Sequence, residues 1–193
     1  MKVFDFDNTI YNGESTIDFF NYVLERKEKY RKYKGLVTKL YFLYKHNLLP
    51  MKLMKHYIAK YSSEKVDFNK EHVLSYIDEF WKENKDKLDK DMLKKISKED
   101  VIITANLDVL INPIKKELKT KNIITSIVDL DKKEIKFLCY NENKLAKFKE
   151  LYKDKEIDEL YTDSYSDKPL MSISKKVFLV DKGNNTIKCI KGE

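Results

Sequence analysis

The sequence of 193 residues predicts an α/β fold, a doubly wound and mostly parallel sheet with an inserted, all-helical cap. Three observations predict it. Residues 2–6 form a short apolar strand, residues 16–95 show helical spacing, and beyond them short apolar strands alternate with helices. Alternating strands and helices indicate parallel pairing through crossover helices. We therefore predict a core of residues 1–12 and 98–193, and a helical cap of residues 13–97.

The helical cap is predicted from apolar residues spaced three or four apart, the period of a helix with one buried face. This spacing holds over residues 17–24 and 36–44, stops at Pro50, and resumes over residues 51–61 and 73–81. A proline inside a helix removes a backbone donor and ends or kinks the helix. We therefore expect several helices, and no sheet, in this segment.

The second half of the chain predicts the rest of the sheet. Apolar runs bounded by polar residues predict strands, at residues 101–104, 123–128, 135–139, 157–161 and 177–180, with an edge strand at 186–190. Helical spacing between these runs predicts crossover helices, at residues 107–118, 144–152 and 168–174.

Composition excludes several classes of protein. The chain is 42% hydrophobic and 12% aromatic with 4 Gly and 3 Pro, which argues against a disordered or linker-rich protein. Cys139 and Cys189 do not make the disulfide framework of a small secreted domain, so we expect a reducing compartment. The acidic N-terminal segment does not fit a signal peptide, and the longest apolar run, residues 40–44, is too short to span a membrane. We therefore expect a cytoplasmic protein.

The basic charge of the chain is concentrated in the predicted cap. The chain has 39 Lys and Arg against 32 Asp and Glu, a net charge of +7. Residues 26–60, which we call the basic window, hold eleven basic residues and one acidic residue, a net +10 that leaves −3 elsewhere. Such a field attracts phosphorylated ligands, nucleic acid or anionic lipid. A lysine-rich helix face that is merely solvated is the alternative.

Aromatic side chains alternate with the lysines around the basic window, at Tyr30, Tyr33, Tyr41, Phe42, Tyr44, Tyr57 and Tyr61. Such side chains either pack as the core of the cap or lie at a bilayer interface, where aromatic residues and lysines anchor amphipathic helices. Both interpretations are open, so peripheral membrane contact through the cap is one prediction.

Polar side chains lie where the predicted core strands end or a core helix begins: Asp5, Asp7, Thr9, Thr104, Lys144, Asp163 and Asp167. Ligands of doubly wound sheets bind outside the carboxyl ends of the strands, so we expect these side chains to converge. Adjacent carboxylates repel unless a cation or a proton lies between them, and carboxylates with waters and a phosphate suit Mg²⁺. With a lysine and a hydroxyl group, they describe a phosphoryl-transfer site.

Four motifs resemble the signatures of the haloacid dehalogenase superfamily. Asp5-Phe6-Asp7-Asn8-Thr9 resembles its DxDx(T/V) signature, and Ile102-Ile103-Thr104-Ala105-Asn106 its second, a hydroxyl residue that ends a strand. Lys144 is similar to the third, and Asp163-Ser164-Tyr165-Ser166-Asp167 to the fourth, DxxxD. The resemblance covers the whole chain and implies a Rossmann-like core. The helical cap after strand one resembles the phosphoserine-phosphatase-like branch.

The resemblance implies a role for each matched residue. Asp5 would be the nucleophile and Asp7 the general acid and base, with the Asp7 main-chain carbonyl on the metal. The phosphate-binding set would be Thr9, Thr104, Ala105, Asn106 and Lys144, and the Mg²⁺ set Asp5, Asp7, Asp163 and Asp167. Glu14 matches the position of an acidic residue that binds the substrate ammonium group in phosphoserine phosphatases. The cap arginine that reads the substrate carboxylate has no match, which argues against phosphoserine.

The expected function is therefore a Mg²⁺-dependent phosphomonoester hydrolase with an aspartyl-phosphate intermediate on Asp5, acting on a small-molecule or lipid phosphomonoester. The alternative is a non-catalytic module on the same fold that binds anions, nucleic acid or membrane through the basic window. A phosphatase for the terminal phosphate of a nucleic acid ranks last, because the sequence has no specific nucleic-acid motif. The residues indicate no oligomeric state.

Overall fold

The computed structural model describes residues 1–26, 69–153 and 155–192, with the separate positions 31, 35, 39, 42 and 43. These residues form a seven-stranded sheet in the order β4-β3-β2-β1-β5-β6-β7. The strands are β1 (Lys2–Phe4), β2 (Val101–Leu107), β3 (Asn122–Asp129), β4 (Glu134–Phe137), β5 (Ile157–Thr162), β6 (Ser174–Asp181) and β7 (Thr186–Lys191). The five inner strands are parallel and the two edge strands antiparallel. The predicted α/β class is confirmed.

The described helices are α1 (Ser15–Arg26), α2 (Lys70–Asn84), α3 (Lys90–Lys95), α4 (Asp108–Ile111), α5 (Glu142–Tyr152) and α6 (Lys168–Ile173). The long helix predicted at 107–118 is wrong. The strand continues to Leu107, and α4 gives way to a 3₁₀ turn at Asn112–Ile114. Pro113 lies in that turn and has no backbone N–H to donate, so the α-helical pattern stops there.

One face of the sheet is covered by a hydrophobic cluster that is rich in aromatic side chains. The rings of Phe6 and Tyr11 stack with centroids 6.0 Å apart, and Trp81 meets the Tyr11 ring edge-on at 5.6 Å. The Trp81 indole N–H donates a 2.6 Å hydrogen bond to the Leu110 carbonyl. These contacts fix helix α2 against the segment after β1 and against helix α4. All three belong to one hydrophobic cluster, which also includes Phe4.

The other face of the sheet carries a second hydrophobic cluster. Val3, Ile103 and Leu160 lie on this face with Phe148 of α5 and Leu170 of α6. Because side chains alternate along a strand, neighbouring residues such as Val3 and Phe4 belong to opposite clusters. Helices on both faces are what the predicted doubly wound arrangement requires.

The basic window lies largely outside the described residues, and so do the aromatic residues interleaved with it, apart from Phe42. Its predicted contact with membranes and the domain boundaries at 12/13 and 97/98 stay predictions. Within the ranges given above, no helix is both long enough and apolar enough to cross a bilayer.

Trp81→Phe tests the link between α2 and the core. The change removes the indole N–H and its hydrogen bond to the Leu110 carbonyl, and it shrinks a fully buried ring. We expect a loss of about 2–4 kcal/mol in the free energy of unfolding, from lost packing and a lost buried hydrogen bond. Trp81 is the only tryptophan, so the variant has no tryptophan fluorescence to follow. Urea unfolding is therefore monitored by circular dichroism. Leu151→Ala, at a side chain that is 53% exposed, is the control, expected within about 0.5 kcal/mol of the parent protein.

Candidate active site

The site begins at the carboxyl end of β1, the central strand. Phe4 pairs with Ile102 of β2 on one side and with Tyr161 of β5 on the other. The Asp5 N–H donates to the Tyr161 carbonyl at 2.9 Å, so the sheet fixes the main chain of Asp5 itself. Residues that follow these paired positions therefore share one edge of the sheet, as the strand pattern predicted.

A tight turn follows Asp5 and folds the chain back on itself. The Phe6 carbonyl accepts hydrogen bonds from the N–H groups of Thr9, Ile10 and Tyr11, at 3.3, 2.8 and 2.9 Å. Asn8 takes the left-handed conformation (φ +52°), which asparagine tolerates better than most residues. The turn brings the first residues of α1 beside Asp7.

Lys144, the first buried residue of α5, joins two carboxylates. Its Nζ lies 2.9 Å from Oδ1 of Asp5 and 2.9 Å from Oδ1 of Asp167, and it donates to Oδ2 of Asp167 at 3.1 Å. The residue is 3% exposed. Burial disfavours the charged ammonium, but the carboxylates of Asp5 and Asp167 outweigh burial and hold the pKa of Lys144 above its usual value.

The pKa of Asp5 is raised well above its usual value. Burial is the largest cause, Lys144 opposes it, and the negative charges of Asp167 and Asp163 add to it. Asp167 is held in place by the Thr162 hydroxyl, which donates to its Oδ2 at 2.8 Å. The site therefore has an excess of negative charge around Asp5, a setting that favours a bound cation.

Mg²⁺ fits the oxygen atoms of this site. Among the described residues, no three Asp, Glu, His or Cys side chains gather into a ready-made metal cage. Mg²⁺ usually takes only one or two carboxylates and keeps several waters. By the resemblance, the carboxylates of Asp5 and Asp163 and the Asp7 main-chain carbonyl would make such a set, and the negative charge of Asp163 acts on Asp5. Asp167 is already bound to Lys144 and Thr162, so its contacts favour supporting Lys144 over direct metal ligation.

Asp7 has a separate set of partners. Its Oδ1 accepts hydrogen bonds from the Ser15 N–H (2.9 Å) and hydroxyl (2.7 Å), and its Oδ2 accepts one from the Asn106 side-chain amide (2.9 Å). Burial raises the pKa of Asp7 to about 7, with a contribution from Glu14 and opposition from these hydrogen bonds. A carboxyl group with this pKa can both give and take a proton near neutral pH.

The end of β2 carries the predicted phosphate-binding segment. The register against β3 shifts between Ile103 and Leu107, so residues 104–106 bulge from the sheet. Thr104 is buried, and its hydroxyl accepts the Asn106 N–H at 3.1 Å. Ala105 is exposed, and its carbonyl accepts a 2.8 Å hydrogen bond from the Ser126 hydroxyl.

Two further predicted residues lie close to this site without joining its centre. Thr9 is fully buried, and its hydroxyl has no hydrogen-bond partner within the described ranges. Its role as a phosphate ligand stays a prediction. Glu14 accepts a 2.9 Å hydrogen bond from the Asn8 side-chain amide and adds its negative charge beside Asp7.

Three supporting residues escaped the sequence analysis. Ser126 is fully buried and also accepts the Cys139 N–H at 2.9 Å, so it ties the bulge at 104–106 to the segment that leads into α5. Thr162 holds Asp167, and Ser15 holds Asp7. Ser15 had a signal, because Ser-x-x-Asp before an apolar helix is the pattern of a helix start. The other two lie inside strands and had none.

A family model described as haloacid dehalogenase-like hydrolase matches residues 3–172. The search of curated proteins found no match.

Solved structures share the fold. A protein with unknown function from Bordetella pertussis Tohama I is 13% identical, with 89% of this chain and 85% of that chain covered and a TM-score of 0.72. A phosphoserine phosphohydrolase-like protein from Francisella tularensis subsp. tularensis SCHU S4 is 19% identical, with 92% and 86% covered and a TM-score of 0.62. A HAD family hydrolase from Salmonella enterica subsp. enterica serovar Typhi is 12% identical, with 89% and 59% covered and a TM-score of 0.53. These identities support a shared fold and no more.

Lys144→Met tests the buried ion cluster. The change leaves Asp5 and Asp167 buried without their cation, so we expect a loss of about 3–5 kcal/mol in the free energy of unfolding. Adding Asp167→Asn should recover part of that loss, because it removes one of the two carboxylates. Lys147→Met on the same helix removes only a more exposed pair with Glu150 and should cost less than about 1 kcal/mol. Equal losses for the two lysines, in urea unfolding, would contradict this account.

Proposed function

The chain belongs to the haloacid dehalogenase-like hydrolase family, and on this premise we propose that it is a phosphomonoester hydrolase that uses Mg²⁺ and forms an aspartyl-phosphate on Asp5. The observation that carries the proposal is the pairing of two differently held carboxylates. Asp5 lies against the Lys144 ammonium, whereas Asp7 lies among neutral donors and has a pKa of about 7. One is suited to attack phosphorus and the other to transfer protons.

The first half of the reaction transfers the phosphoryl group to the protein. Lys144 holds Oδ1 of Asp5, which leaves Oδ2 to attack the phosphorus. The bond from phosphorus to the ester oxygen breaks as the new bond forms, and Asp7 gives its proton to the departing oxygen. The products of this step are the free alcohol, the phosphorylated Asp5 and an ionised Asp7.

The second half returns the protein to its starting state. Asp7 takes a proton from a water molecule as that water attacks the phosphorus, and the bond from phosphorus to Asp5 breaks. Lys144 and the Thr104 hydroxyl offset the charge on the phosphoryl oxygens in both steps. Asp5, Asp163 and the Asp7 carbonyl would hold Mg²⁺, which when bound neutralises phosphoryl charge and orients the group for attack.

The substrate that we propose is a lipid phosphate or another amphiphilic phosphomonoester, reached through the basic window. The net +10 of residues 26–60 favours an anionic surface or ligand. Arg26 and Arg31 are the only arginines of the chain. The Arg26 guanidinium pairs with Glu83 at 2.5 Å and lies 3.8 Å over the Tyr22 ring, which leaves it poorly placed to read a substrate carboxylate. That engagement argues against Arg26 as the residue that binds the carboxylate of an amino-acid phosphate.

Asp5→Asn tests the function directly. The purified protein is offered small phosphomonoesters and anionic lipid phosphates with Mg²⁺, and then with a chelator. We expect phosphate release that needs Mg²⁺ and falls by roughly 10³-fold or more in the variant, because an amide cannot act as the nucleophile. Undiminished turnover in Asp5→Asn would overturn the mechanism. Salt-sensitive binding to vesicles or nucleic acid with no hydrolysis of any ester would favour the non-catalytic alternative.

Mg²⁺ binding is tested separately by thermal unfolding. Mg²⁺ at ten times its Kd should stabilise the protein by about 1.4 kcal/mol, a rise of about 3–6 °C in Tm. Asp163→Asn should lose most of this rise, because it removes one of the two ligating carboxylates. Asp91→Asn, at an exposed aspartate of α3, is the control and should keep it. An unchanged response in Asp163→Asn would exclude Asp163 as a ligand.

A further inference from the structure

We propose that Asn106 is a positioning residue for the general acid Asp7, and not the phosphate ligand that the sequence predicted. This inference rests on the proposed function. It concerns the atom of Asp7 that carries the proton and the side chain that fixes that atom.

Every polar group of the Asn106 side chain is engaged inside the protein. The residue is 3% exposed. Its amide donates to Oδ2 of Asp7 at 2.9 Å and to the Ser15 hydroxyl at 3.0 Å, which uses both N–H groups. Its carbonyl oxygen accepts from the Thr16 hydroxyl, and its main-chain N–H is given to Thr104. No donor of Asn106 is left for a phosphoryl oxygen.

The two oxygens of Asp7 are held unequally. Oδ1 accepts two hydrogen bonds, both from Ser15, whereas Oδ2 accepts the single bond from Asn106 among the described residues. A carboxylate oxygen has two lone pairs, so Oδ2 keeps one for the proton that is transferred. Asn106 therefore fixes the plane of the Asp7 carboxyl group, and with it the direction in which Oδ2 gives its proton to the departing oxygen.

Loss of this orientation of the Asp7 carboxyl group has a defined kinetic consequence. General acid catalysis contributes about 10²–10⁴-fold, and a small displacement of the acid removes much of it. The contribution matters for an alkyl phosphate, whose alkoxide leaves poorly without a proton. It matters little for p-nitrophenyl phosphate, whose phenolate leaves unaided. A positioning role thus predicts a loss that depends on the leaving group, whereas a phosphate ligand serves both esters equally.

The experiment compares kcat/KM for an alkyl phosphate and p-nitrophenyl phosphate in Asn106→Ala. This ratio covers only the steps up to phosphorylation of Asp5, so the later hydrolysis by Asp7 does not enter. We expect kcat/KM to fall about 10²-fold for the alkyl ester and less than about tenfold for the aryl ester. The affinity for inorganic phosphate, measured by calorimetry with Mg²⁺, should be unchanged.

Two further variants make the result specific. Asn122→Ala deletes an amide that donates to the carbonyls of Lys98 and Asp100, and should leave both esters unaffected. Ser15→Ala removes a hydroxyl from Asp7 but keeps the Ser15 N–H, and should give the same dependence on leaving group with a smaller loss. If Asn106→Ala does not fold, Ser15→Ala is used in its place to compare kcat/KM for the two esters.

Each outcome decides the matter. Equal losses for the two esters with weaker phosphate binding would overturn the inference and restore Asn106 as a phosphate ligand, with the proposed function intact. Unchanged kcat/KM for both esters in Asn106→Ala and Ser15→Ala would also overturn it. A folded parent protein that hydrolyses neither these two esters nor any lipid phosphate, with Mg²⁺ present, would overturn the proposed function, and the inference would fall with it.

Discussion

The rest of the site depends on one interaction, the buried ion pairing of the Lys144 ammonium with the carboxylates of Asp5 and Asp167. Ions in a protein interior are stable only when their partners are placed well enough to offset the loss of water. The cluster joins the end of β1, the start of α5 and the turn after β5, which are far apart in the chain. The fold must therefore hold these three segments in register, or leave charges buried and unpaired.

Neutral side chains do much of this holding. Thr162 orients Asp167, and Ser126 ties the bulge at the end of β2 to the segment before Lys144. Ser15 and Asn106 hold Asp7 in the same way. Each group uses short hydrogen bonds to fix a charged residue or a backbone turn. Charge thus supplies the chemistry of the site, and neutral hydrogen bonds supply its geometry.

The sequence predicted those parts of the molecule that depend on residue type and local period. The family and the α/β class followed from the motifs and the alternation of strands and helices, and Asp5, Lys144 and Asp167 meet as expected because parallel strands end at one edge. The helix at 107–118 was overpredicted because apolar spacing continues past Pro113. The contacts of Asn106 could not be foreseen, since they depend on the turn at Asn8 that returns Ser15 to Asp7. Ser126 and Thr162 resemble any polar residue in a strand.

The hydrogen bond from the Asp5 N–H to Tyr161 has a consequence for how proteins of this architecture diverge. It makes the main chain of the proposed nucleophile part of the central strand pairing, so a mutation that shifts Asp5 must also disturb the middle of the sheet. Residues around the leaving group are not part of this strand pairing, so they can change with less effect on the sheet. If Asp5 is the nucleophile, a change of substrate specificity is therefore expected to come from residues around the leaving group and not from a shift of Asp5.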